Sequence, residues 1–135
     1  MPIRIVRLGT PRHPGEGTRI GTVRRPPRGV PKEDFAARDW YDVWFPNLAP
    51  GPETMKLGKA AASPAEWAAF RRKYRAEMSA SGPRHDLALL AALSHVASFS
   101  VGCYCEHEER CHRSVLSELL VENGAALDDP RARRP

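Results

Sequence analysis

The chain has few aromatic residues (7%), only three cysteines, and no apolar run long enough to cross a bilayer. The missing run excludes a helical membrane span. The opening Met1-Pro2-Ile3-Arg4 lacks the long apolar segment of a secretory leader, so secretion is not expected. Three cysteines leave one unpaired in any disulfide scheme, which predicts a reducing, cytoplasmic setting where thiols serve chemistry or metals. Acidic residues are scarce at the start. Over residues 1–28, Arg4, Arg7, Arg12, Arg19, Arg24, Arg25 and Arg28 stand against Glu16 alone, although the whole chain carries only +5. Zinc-finger spacing, an aromatic RNA-binding strand and a long basic helix are also missing, so nucleic acid is kept only as an alternative partner of the basic segment.

What is present fits one domain. A length of 135 residues with 41% apolar positions supports a single core, and 13 prolines with 10 glycines predict long ordered loops. Seventeen of the 21 basic residues are arginine, the side chain suited to bidentate capture of phosphate or carboxylate. This excess predicts an anion-facing N-terminal third; the plainer alternative is a solvated basic surface.

The apolar run over 3–8 predicts a first, central strand. Residues 9–18 form a Pro/Gly-rich loop, 19–23 a brief strand, and 24–34 a second such loop, because each Pro lacks an amide donor and restricts its predecessor. Residues 40–45 predict another strand, with Trp40, Trp44 and Phe45 in the core, and 47–52 a loop. Three helices follow. Ser63-Pro64-Ala65-Glu66 is a start signal, and Trp67, Phe70, Tyr74 and Met78 repeat at helical spacing behind it. Ser81-Gly82-Pro83 ends that segment. A second helix is expected over 85–97, a strand over 99–105, and a third helix over 111–123 before Gly124. The order predicts an α/β fold: a small, mostly parallel sheet with helices on both faces, in one domain spanning 1–124, followed by a flexible tail over 125–135.

The densest chemistry lies in Gly102-Cys103-Tyr104-Cys105-Glu106-His107-Glu108-Glu109-Arg110-Cys111-His112-Arg113-Ser114. It falls between a strand end and a helix start, where open α/β sheets bind ligands and unpaired amides favour anions. That field, with Arg110 and Arg113, is expected to lower the pKa of Cys111. Three chemistries fit. Cys111 is a candidate nucleophile or redox thiol, with His112 or His107 moving a proton and Arg113 and Ser114 holding an anionic ligand. Alternatively Cys103, Cys105, Cys111 and His112 hold zinc, although the spacing is not a standard one and neighbouring Cys111 and His112 reach one ion only if the backbone bends between them. Or Cys103 and Cys111 form a reversible disulfide. Glu106, Glu108 and Glu109 oppose simple anion binding unless they point outward.

Cys103 with Cys111-His112-Arg113-Ser114-Val115-Leu116 is similar to the C-terminal signature of the YeaO-like family, a domain of unknown function numbered 488. Arg24-Arg25-Pro26-Pro27-Arg28-Gly29 resembles its Arg-Leu-Trp-Pro-Arg-Gly segment, Leu48-Ala49-Pro50 its Leu-Ala-Pro, and Phe70-Arg71-Arg72-Lys73-Tyr74 its Phe-Arg-x-x-Tyr helix. The likeness covers roughly residues 3–122. Val23, Arg25 and Pro26 depart from its Asp and Leu-Trp, and Cys105 stands where many members have Glu. The resemblance implies a small cytosolic α/β domain without naming an activity, and it carries Arg24, Arg28, Cys111, His112 and Arg113 over as candidate site residues.

Overall fold

The computed structural model describes residues 2–105 and 111–128. Four parallel strands form one sheet: β1 (Ile3–Arg7), β2 (Thr18–Gly21), β3 (Val43–Trp44) and β4 (Phe99–Cys103), in the order β1-β4-β2-β3. Four helices accompany them: α1 (Pro52–Ala60), α2 (Pro64–Met78), α3 (Ser81–Leu93) and α4 (His112–Glu122). The α/β class expected from the sequence is the class observed. No helix among the described residues is long and apolar enough to cross a membrane.

The central position belongs to β4, not to β1. All five β4 residues are buried, whereas β1 lies at the edge of the sheet and its Arg7 is exposed. Of the expected tail, residues 125–128 run beside β1. Ile3 donates its amide to the Ala126 carbonyl, Asp128 donates its amide to the Ile3 carbonyl, and Arg4 pairs with Asp128 at 2.9 Å. Residues 129–135 lie outside the described residues.

Side chains alternate across the sheet, so its two faces see different partners. Ile3, Phe99 and Val101 join Phe70, Tyr74 and Met78 of α2, Leu87 and Leu90 of α3, and Val115, Leu116, Leu119 and Leu120 of α4 in one core. The opposite side of the sheet is covered by the loops over 9–18 and 32–42, with a 3-10 turn at Lys32–Asp34. There Arg19 is fully buried and gives Glu16 a two-pronged pair at 2.7 and 3.0 Å. Its remaining nitrogen donates to the Thr10 and Asp39 carbonyls, and Ser100 of β4 donates to Glu16 at 2.7 Å. Gly17 (φ 79°) brings this loop against the Ser98 carbonyl, where a Cβ would clash.

The start signal of α2 works as expected: Ser63 Oγ accepts the Glu66 amide, and Glu66 returns to the Ser63 hydroxyl and the Ala62 amide. Ser81-Gly82-Pro83 does end α2, but it also forms the first turn of α3, where helix amides have no intrahelical partner and Pro removes nothing. The second helix therefore runs four residues earlier than its leucine pattern suggested. The loop expected over 47–52 gives way at Pro52 to α1, which the sequence pattern does not predict. The strand expected over 40–45 shrinks to the two exposed residues of β3; Trp44 is 44% exposed, and its indole N–H reaches the Val23 carbonyl instead of the core.

Candidate functional site

The carboxyl ends of β1, β2 and β4 open into a cleft of about 1170 Å³. Its cationic lining comes from segments far apart in sequence. Arg7, Arg24, Arg25 and Arg28 line it together with Lys56 and Lys59 of α1; no carboxylate stands among the described lining residues. Leu8, Val23 and Trp40 add apolar surface.

The position of Arg24 follows from the fold. Tyr74 of α2 is fully buried and donates its hydroxyl to the Leu48 carbonyl at 2.7 Å. That contact fixes the segment whose next two carbonyls, Ala49 and Pro50, accept from Arg24 at 2.9 and 3.2 Å. Glu77 holds the beginning of α1 in the same way, accepting the Gly51 amide at 3.0 Å and the Thr54 hydroxyl at 2.6 Å. The Tyr104 hydroxyl donates to the Arg25 carbonyl at 2.9 Å.

The floor of the cleft is made of Cys103, Cys105 and His112. Cys111 lies behind it, buried, with its Sγ 3.8 Å from His112 Nδ1. His112 Nε2 is 2.8 Å from the Thr22 carbonyl. A carbonyl only accepts, so Nε2 carries the hydrogen and Nδ1 is the bare nitrogen turned toward the sulfurs. Burial pushes the His112 pKa down to about 4, more than the Thr22 bond and the nearby Cys105 charge raise it, and the ring is neutral at physiological pH.

All three cysteines are free, and Cys103 and Cys111 place their sulfurs within 4.8 Å of each other and of the His112 ring. Bonds donated by Cys103 and Cys111, with help from the Arg113 charge, hold the Cys105 thiol far below its usual range against its partial burial. Cys103 moves up, because it donates to Cys105 and Cys111 and is buried. Cys111 receives a bond from Cys103 that lowers it, but its own bond to Cys105, burial and the Cys105 charge prevail and leave it at about 11. The neighbouring thiols and the Arg113 charge therefore favour a thiolate at Cys105, whereas the Cys111 thiol moves up and not down as the sequence suggested. The cluster can pass a proton to Nδ1 or hold a soft metal ion: Cys103, Cys111 and His112 each present a donor atom within 4.8 Å of the others.

Among the residues expected at the site, Arg24, Arg28, Cys103, Cys105 and His112 line one cleft. Arg113 does not line it. It is 4% exposed and donates to the Cys105 carbonyl at 2.7 Å, which ties the turn back to α4. Ser114 is also absent from the lining; its hydroxyl donates to the Cys111 carbonyl at 3.0 Å within the first helical turn. Glu106, His107, Glu108, Glu109 and Arg110 lie outside the described residues. Sequence reasoning missed Lys56 and Lys59, although Gly51-Pro52-Glu53 places a proline and an acid where a helix begins. It also missed Thr22, whose backbone oxygen sets the His112 tautomer and leaves no trace in residue type.

No curated protein and no solved structure is similar enough to this chain to match it. One family model does match, over residues 3–124, and its description reads "Active DUF488-N3 subclade". That span takes in all four strands, all four helices and the whole cysteine–histidine floor. The chain thus belongs to the DUF488-N3a family.

Proposed function

We propose that the cleft binds a phosphate-bearing small molecule and that the protein is a thiol-dependent enzyme acting on it. One observation carries this reading: six cationic side chains face the cleft with no carboxylate among its described lining. Unpaired like charges brought together by folding repel one another, and an anion relieves that repulsion. The amino-terminal end of α4 adds its unpaired amides beside the floor. Arg24 and Arg28 orient the ligand; Arg113 and Ser114 position the turn that carries the floor. Cys105 is the half-exposed thiol on the cleft floor and the group placed to meet the ligand, with His112 beside it and Cys111 behind.

The test is equilibrium binding of nucleoside phosphates and sugar phosphates at low salt. At least one class binds the wild type, Arg28→Ala weakens it about tenfold or more, and added salt weakens it further. No binding across the panel, or binding indifferent to Arg28→Ala, overturns the reading.

A further inference from the structure

We infer that the floor of the cleft is a soft-metal site in which Cys103, Cys111 and His112 hold one zinc or ferrous ion, with the fourth position open to the cleft. It deepens the cleft reading by naming the cofactor at its base, yet metal content is measured without any phosphate ligand, so the two ideas fail separately.

The geometry is of the kind such an ion takes. Zinc binds sulfur at about 2.3 Å and imidazole nitrogen at about 2.0–2.1 Å in a tetrahedron, which sets neighbouring donor atoms roughly 3.5–3.8 Å apart. Cys111 Sγ and His112 Nδ1 are separated by 3.8 Å, and the Cys103 sulfur lies within 4.8 Å of both. Cys105 lines the cleft beside this group but stands outside the set of donors within 4.8 Å of one another, so a fourth position is left to water or a ligand, as in catalytic zinc sites.

Adjacent residues rarely ligate one ion, because their side chains diverge. Here the chain bends between them. Cys111 is extended (φ −128°, ψ 155°) just outside the helix, and His112 is the first residue of α4, so both side chains turn to the same point. The histidine is also oriented as a ligand. Its Nε2–H is tied to a backbone carbonyl, the outer-sphere bond that metal-binding histidines usually make, and the bare Nδ1 faces the sulfurs.

The sulfur environment points the same way. Cys103 and Cys111 are each 2% exposed. Buried thiols ordinarily pack among apolar side chains as small hydrophobes. These sit in an apolar cluster with Val6, Leu8, Val23 and Tyr41, but they also meet one another and an imidazole, partners that offer an S–H only weak bonds. A divalent ion replaces those weak bonds with metal–thiolate bonds, releasing protons to solvent as it binds.

The experiment uses the full chain, purified under reducing conditions without added metal. Elemental mass spectrometry is expected to find about one equivalent of zinc or iron per chain, and which element appears separates the two ions. Chelator-stripped protein titrated with cobalt is expected to develop thiolate-to-cobalt charge-transfer bands and tetrahedral ligand-field absorption, saturating at one equivalent. Cys111→Ser is expected to abolish uptake. A metal-free, folded wild type that gives no cobalt spectrum overturns the inference, whether or not the buried variants fold. So does a cobalt spectrum that Cys111→Ser leaves unchanged.

Discussion

The arginines of the first 28 residues fall into two groups that the fold treats in opposite ways. On one face of the sheet Arg19 is sealed beneath a loop with Glu16 and Ser100, Arg12 pairs with Asp39 and Asp42, and at the sheet edge Arg4 pairs with Asp128. At the strand ends Arg7, Arg24, Arg25 and Arg28 share an open cleft with Lys56 and Lys59, and no described acid faces them. The first group spends its charge on holding the chain in place. The second is left with charge to offer a ligand. A count of basic residues does not separate the two; the position of the nearest carboxylate does.

The sharpest way to break this contrast is to remove the structural group. Arg19→Met leaves Glu16 buried without its cation and is expected to cost about 3–5 kcal/mol in denaturant unfolding. Acid attacks the same pair. Burial works to raise the Glu16 pKa, but bonds from Arg19, Ser100 and the His13 amide outweigh it and hold it at about 2, against an ordinary 4.5. A folded-state value below the unfolded one means the contribution is complete above about pH 4.5 and is lost as pH falls toward 2. Unfolding measured across that range is expected to show the loss, and Glu16→Gln is expected to flatten it. The smallest effect belongs to arginines paired in water. Arg71 and Arg75 of α2 meet Glu118 and Glu122 of α4 on the surface, and Arg71→Ala is expected to change stability by less than about 1 kcal/mol.

The elements that local chemistry dictates were legible in the sequence. Ser63 to Glu66 announces α2, the buried run ending at Cys103 announces β4, and the leucines from Val115 to Leu120 announce α4. Long-range pairing left no such mark. Nothing in Ile3 to Leu8 tells that β4 takes the centre and leaves β1 at the edge, with residues 126–128 beside it. Helix α1 carries a glycine where Phe70 packs closely, at Gly58, and only one fully buried residue, Thr54, so its apolar periodicity is faint. That is why two of the six cationic residues of the cleft, Lys56 and Lys59, left no signal in the sequence. At the site, residue types pointed to the Cys-His-Arg turn. Which thiol is acidic depends on who donates to whom among three sulfurs, and sequence spacing does not contain that. Arginine at a helix start suggests a ligand contact at Arg113, but the side chain is buried and turned inward to the Cys105 carbonyl.

The anion cleft is tested most directly by following backbone amide shifts while inorganic phosphate, and then a nucleoside phosphate, is titrated in. Saturable shifts are expected to cluster in residues 24–28, around Lys56 and Lys59, and at the first turn of α4. Shifts that are absent, or that gather instead on the Arg71 and Arg75 face of α2, contradict the account.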